Sequence, residues 1–428
     1  MSGSEPTVEV LIIGAGPAGL TAAATLAPRV GGNVLVLERE ALPGGIPRHS
    51  DHPGYGIRDL RTFTSGPAYA RRLTDTAIAA GAQIRTNATV TGWADERTVE
   101  ITSPAGRARV SARAIVLATG ARERPRPARG VAGSRPAGIY TTGQLQQLVH
   151  LHHQSPGRRA LIVGAELVSW SAALTLREGA CRPILMTSLH SSPEVFKALS
   201  AFGRLAYRLP IRTCTRVASI VGQTRVEAVE LENTVTHARE IVACDTVIFT
   251  GDWIPDHELV RTAGLELDLG TLGPLVDTRQ STSTPGIYAI GNLTHPVDTA
   301  DVAALDGRAV AEPVLSYLAG AARGAFAGPR ILAGSNLKWI SPGVLDGSAS
   351  PPRGRFLAWP ECQITFPTVT VTQGSIELSR RVLPWAASPG RVLRIPAGLI
   401  RGGHLAAEDP ITVGIHRTRN LPRAAPEP

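Results

Sequence analysis

Thiols are scarce in this chain. Cys181, Cys214, Cys244 and Cys362 are its four cysteines in 428 residues. No two stand in a C-x-x-C pair or at metal-ligand spacing, which argues against a redox dithiol, an iron–sulfur centre or a disulfide framework. Buried, reduced thiols in a reducing compartment are expected. Lysine is scarcer still: only Lys197 and Lys338 occur, so nearly all of the 44 basic residues are arginines. The formal charge of +9 is scattered along the chain, and aromatic residues make up only 4% of it. Without a basic stripe, specific nucleic-acid binding is not expected. No run of about 18 apolar residues is present, so no membrane-spanning helix is predicted. The N-terminus, MSGSEPTVEVLIIGAG, has no basic region ahead of an apolar core and enters a strand almost at once. No secretory leader is therefore predicted, and a cytoplasmic location is expected. A hydrophobic content of 43% with 18% charged residues suits a soluble globular protein, long enough for two or three domains.

What is present is a glycine turn in the right setting. An apolar strand ending at Ile13 runs into Gly14-Ala15-Gly16-Pro17-Ala18-Gly19 and a helix of small residues. The next strand, NVLVLE, ends on Glu38. Gly14 permits a tight turn, Gly16 lets the backbone approach a diphosphate, and Gly19 allows helix and strand to pack closely. The helix N-terminus offers free N–H groups and a positive dipole end to phosphate, and Glu38 can accept from a ribose diol. Dinucleotide binding is predicted from these parts together, since a glycine pattern alone is common.

A second, damaged copy occupies 159–180, RALIVGAELVSWSAALTLREGA. With Gly164 on the first glycine, Glu166 falls where backbone should meet diphosphate, and Ser169 falls at the packing position. A carboxylate at about 4 Å from a phosphate costs on the order of 1–4 kcal/mol, depending on effective dielectric. The following strand ends in Thr187 and Ser188, with neither an acid for ribose nor arginines for a ribose phosphate. The expectation is a retained fold with NAD(P)H binding lost or weakened, and NAD(P)H use is left open.

The first fingerprint, AIVLATGARERP at 114–125 and STPGIYAIGN at 283–292 together resemble the two-dinucleotide-domain flavoproteins of the glutathione-reductase-like class. The resemblance spans 8–320. GGIPRHSDHPGYGIRDLRTFTSGPAYARRL, residues 44–73, looks like the amino-acid and glycerol-phosphate dehydrogenase-like branch, which includes subunits of opine, proline and hydrogen-cyanide-producing dehydrogenases. Those relatives often carry a cysteine a few residues after G-G-I; here Ser50 stands in that region. The resemblance implies FAD as cofactor, held by Gly14, Ala15, Gly16, Pro17, Ala18, Gly19, Glu38, Arg39, Gly45, Ile46, Val90, Ala118, Thr119, Gly120, Gly291, Asn292, Thr299 and Ala300. Asn292 replaces the acid usual in the class. Asp298 or Thr299 can cap the following helix. In relatives that helix faces the pyrimidine side of the flavin, where its dipole would favour negative charge by about 0.3–2 kcal/mol.

For catalysis the loop 44–56 offers Arg48 as an anion clamp and His49 or His52 as proton acceptor while hydride leaves for the flavin. A loop histidine is more often a solvated or structural residue. Trp253, His257 and His295 could line the ring, or simply pack. HLHH, from His150 to His153, lies at a helix end without carboxylate or cysteine partners in view, and no metal site is expected.

The predicted architecture is α/β: a Rossmann-like FAD domain over 5–121 and 252–322, with an inserted NAD(P)-type domain of degenerate fingerprint over 122–251. A small all-β domain follows over 331–418, and a disordered tail over 419–428. ARERPRPARGVAGSRPAG is read as a Pro/Gly/Arg-rich connector, and the β domain as a packing or partner-docking element. The leading function is an FAD-dependent oxidoreductase taking hydride from a small amine, amino acid or hydroxy acid, reoxidised by a non-nicotinamide acceptor; disulfide reduction is rejected for want of paired thiols. The alternatives are an NAD(P)H-dependent flavin reductase with an atypical nucleotide site, and a non-catalytic flavoprotein subunit of a larger complex. A partner subunit or a homodimer is compatible with all three.

Overall fold

The computed structural model describes residues 7–195, 203, 207–321, 326–347, 349–400 and 409–417. The tail 419–428 lies outside the described residues, as does part of the linker that follows residue 321.

Strand β1 (Val8–Ile13) is apolar on both faces because it lies in mid-sheet. Val10 and Ile12 enter one core with helix α1 (Pro17–Leu26). Leu11 and Ile13 enter a second core on the other face. β1 pairs in parallel with β2 (Val34–Leu37) and with the last part of β4 (Gly106–Leu117); β3 (Gln83–Arg85), reached through α2 (Gly66–Ala79), extends the edge beyond β2. The long β4 also turns back into an antiparallel meander with Thr98–Ser103 and Thr89–Asp95. Strand Ile287–Ala289 joins β4 in parallel, so the chain returns to this sheet after the insertion.

The crossing is a two-stranded ribbon. Ala121–Glu123 pairs antiparallel with Trp253–Pro255. The start of the stretch read as a Pro/Gly/Arg-rich connector is thus a strand. Local composition did not show it, because its partner lies about 130 residues away in sequence.

The inserted unit has a five-stranded parallel sheet, in order Ile139–Thr141, β7 (Thr246–Phe249), β5 (Arg159–Val163), β6 (Arg182–Thr187) and Ile211–Arg212. Helix α3 (Leu167–Glu178) follows β5, as α1 follows β1. The C-terminal module has two sheets, one of four strands and one of three, closing on a shared core that includes Phe356, Val371, Ile395 and Val413. No helix among the described residues is long and apolar enough to cross a membrane.

Candidate functional site

The two glycine turns are built alike and furnished differently. Gly14 N–H donates to Leu37 O at 2.9 Å, and Gly164 N–H donates to Thr187 O at 2.9 Å. Gly14 has φ +106°, and a Cβ there would lie 2.5 Å from Ala118 O. A Cβ on Gly19 would lie 2.0 Å from Gly14 O, so the turn and helix can close only on glycine.

At Gly16 the situation reverses. Its backbone is extended, and a Cβ would meet nothing within 4 Å. No side chain caps α1, and no acidic residue stands in its first turn. The turn therefore presents uncapped N–H groups to open space, as a bound diphosphate requires. Glu38 is buried at the end of β2; its carboxylate accepts from Ala15 N–H and Glu40 N–H, each at 2.9 Å. Those bonds fix its orientation and leave lone pairs for a diol. These residues fit an adenine dinucleotide.

Other residues implied by the resemblance gather round this turn. A Cβ on Gly45 would lie 3.0 Å from Gly16 Cα, and Gly44 N–H donates to Ala15 O. Ile46 is exposed beside them. Ala118, Thr119 and Gly120 follow β4, with Thr119 Oγ1 donating to Asp256 O at 2.7 Å. Arg39 points outward toward Asp256. Val90 follows a segment bonded to the backbone of Glu38 and Glu40. Gly291 packs against Ala18. Asn292 donates Nδ2–H to Asp298 O at 2.9 Å, and its Oδ1 is buried without a partner.

Helix α4 (Ala300–Ala309) follows, with Thr299 at the N-cap position. Neither residue expected to cap it acts as a cap. The Thr299 hydroxyl bonds to Asp301, and Asp298 accepts only from Thr299 itself within this turn. A buried acid thus stands in the first turn, where it meets the positive end of the helix dipole. Arg58 pairs with it, donating its backbone N–H to Asp301 Oδ2 at 3.0 Å and its guanidinium at 3.2 Å. No motif in the chain signals this pairing, which spans 243 residues.

In the candidate loop, the histidines diverge. His49 is buried, its Nδ1 has no partner, and burial above all pushes the ring down to about 4. His52 is half-buried, with Nδ1 against Pro53 O at 2.9 Å. A carbonyl only accepts, so Nδ1 carries the hydrogen and Nε2 accepts from the Ser50 hydroxyl at 3.0 Å. Gln146 Nε2 donates to Ser50 Oγ at 3.2 Å and to Ser171 Oγ at 2.9 Å, a buried link from the inserted unit. His150 Nδ1 donates to His49 O at 2.6 Å while Nε2 meets Glu178. His150 thus has the carboxylate partner that local sequence did not show, and it serves as a clamp on the loop. Among the described residues no group of three His, Cys, Asp or Glu could hold a metal. Arg48, read as an anion clamp, pairs with Glu40. Trp253 belongs to the crossing ribbon, and His257 bonds Leu272 O.

The second turn is filled by the chain itself. Ser169 Oγ accepts from Glu166 N–H and bonds Thr250 Oγ1 at 2.7 Å. The Glu166 carboxylate lies against Gly251, where an added Cβ would come within 2.2 Å of Oε1. From the C-terminal module, Gly390 reaches in: a Cβ there would lie 2.4 Å from Glu194 Cβ and 3.4 Å from Glu166 Cβ. Ser188, in the place that Glu38 holds in the first unit, donates to Glu194 at 2.9 Å.

Burial, then the neighbouring Glu194, pushes the Glu166 carboxyl up to about 8. The folded chain therefore holds this proton more tightly than the unfolded one, so the stability present below about pH 4.5 is lost as pH rises toward 8. Such a shift is worth at most roughly 5 kcal/mol. Glu166→Gln should match the parent near about pH 5 and melt higher at about pH 9. Thermal melts at the two values check this; an equal offset at both would refute it.

Comparison with known proteins agrees with this architecture. A subunit of opine oxidase from Agrobacterium tumefaciens is 28% identical over 347 residues, 72% of this chain and 66% of the relative. The chain thus spans just under two thirds of that relative's length. Thioredoxin reductase of Treponema pallidum is 26% identical over 322 residues, 73% of this chain and 98% of the relative. The crystal structure of T. acidophilum thioredoxin reductase superposes with a TM-score of 0.62 at 22% identity, covering 73% of this chain and 99% of that one. The model of the pyridine nucleotide-disulphide oxidoreductases matches residues 8–307, well over half of the chain. The chain belongs to that family of FAD-binding, NAD(P)H-linked oxidoreductases.

Proposed function

We propose that this chain is an FAD-dependent oxidoreductase that oxidises a small amine, amino acid or hydroxy acid and passes the electrons to an acceptor other than a nicotinamide nucleotide. The observation that carries this reading is the contrast between the turns: the first stands open at Gly16, and the second is filled by Glu166, Gly251 and Gly390. Disulfide reduction is disfavoured by the thiols. All four cysteines are free, and burial pushes both Cys181 and Cys244 up to about 11.

FAD, when bound, supplies the acceptor for a hydride, which carries two electrons and one proton equivalent from the substrate carbon. The second proton leaves the substrate nitrogen or oxygen, and Ser50 with His52 is the pair we assign to receive it. His52 Nε2 faces the Ser50 hydroxyl at 3.0 Å while Nδ1 is taken up by Pro53 O, whereas His49 is buried and a weak base. A quinone, dioxygen or a partner protein then takes up the electrons. Similarity to a protein named as a subunit of opine oxidase supports a partner protein and an opine-like substrate.

The test is anaerobic mixing of the FAD-loaded chain with a panel of amines, amino acids and hydroxy acids. Bleaching of the flavin band by one class is expected. Turnover of a disulfide at the expense of NADPH would overturn the proposal.

A further inference from the structure

The loop between Gly291 and α4 is held from outside its own unit. Arg394 Nη2, on a strand of the C-terminal module, reaches Asp298 Oδ1 at 3.2 Å. The Asp298 carbonyl is the one that Asn292 holds. Further along α4, Asp306 is buried between His295 and Arg353, each bonding one carboxylate oxygen. Arg353 also belongs to the C-terminal module. Between these two ionic contacts Val297 and Val302 pack against Trp339, Leu357 and Trp359, with the two indoles stacked at 6.0 Å.

The opposite face of the same helix lies on the glycine turn. A Cβ on Gly307 would stand 2.1 Å from Ala18 O, and one on Gly291 would stand 2.8 Å from Ala18 Cβ. One helix thus touches the fingerprint on one side and the C-terminal module on the other. Two acceptors on the clamped loop, Asn292 Oδ1 and His295 Nδ1, are buried without partners.

We propose that the C-terminal β module is a working part of the cofactor site, with Arg394 and Arg353 as positioning residues that hold residues 292–299 and α4 against the flavin and neutralise the two aspartates there. This rests on the flavin reading of the turn at 14–19. The module's place in the chain, beyond the matched family region, gives it no such role by sequence alone.

The test uses the full chain, stripped of FAD and titrated with it, as the parent and four variants. Arg394→Met and Asp298→Asn should each weaken FAD binding about tenfold, while the apo chains keep the parent's circular dichroism. Their effects on midpoint potential should have opposite signs. Losing the arginine leaves a negative charge that disfavours electron gain and lowers the potential; losing the aspartate charge raises it. Arg394→Lys should restore most of the affinity. Arg380→Met, at an exposed pair with Glu377 elsewhere in the module, should change neither quantity. Unchanged affinity in both Arg394→Met and Asp298→Asn, or potential shifts of one sign, would overturn the proposal. A parent chain that binds no FAD would overturn the flavin reading beneath it.

Discussion

Gly16→Val should strip FAD from the chain while leaving the apo protein as stable as the parent. The residue has φ −78° and ψ −177°, which any amino acid adopts. A Cβ there meets nothing within 4 Å, so the protein has no packing reason of its own for glycine. Two methyl groups at this point would stand between the backbone and a diphosphate. Affinity should fall by about 100-fold or more, roughly 3 kcal/mol at about 1.4 per decade. The paired control is Gly19→Ala, whose Cβ would lie 2.0 Å from Gly14 O and which should damage the fold itself. FAD per polypeptide after gel filtration, with a melt of each apo chain, separates the two effects. Full FAD retention in Gly16→Val would remove the diphosphate from this turn.

Arg353→Met should be the most destabilising single charge removal at the joint with the C-terminal module. Asp306 is 1% exposed, and its two oxygens meet Arg353 and His295. Burial foremost pushes His295 down to about 4, so near neutrality this histidine donates a hydrogen bond without bringing a charge. Arg353 is then the cation in direct contact with Asp306. Removing it leaves a buried, uncompensated carboxylate, which costs about 3–5 kcal/mol. An exposed pair such as Arg380–Glu377 is worth about 1 kcal/mol or less. Urea midpoints of Arg353→Met and Arg380→Met compare them directly; equal losses would contradict the assignment.

The sequence was most readable where the physical demand is local. Gly14 and Gly19 are required by atoms within the same βαβ unit, and Glu38 by the backbone of Ala15 and Glu40. The departure at Glu166 from the first turn's pattern was visible for the same reason, since β5 and α3 repeat the geometry of β1 and α1. What packs against it was hidden: Gly390 arrives from a different module more than 200 residues later. The ion pairs of the candidate loop were not legible, because Arg48 finds Glu40 through space, and Arg58, which sequence reasoning passed over, finds Asp301. Gln146, His150 and Ser171 carried no motif, yet they fix the loop that holds Ser50 and His52. The C-terminal module reads as a packing or docking element because Arg394 and Arg353 reach Asp298 and Asp306 only through space, with no motif to mark them.

The most direct measurement is the flavin absorption of the FAD-loaded chain, kept anaerobic and mixed with excess NADH or NADPH, with dithionite as the positive control. A band that persists for minutes in both nucleotides and vanishes with dithionite is the expected result. Bleaching within seconds by either nucleotide would contradict it, because hydride would then be entering through a cleft that Glu166 and Gly390 are held to close.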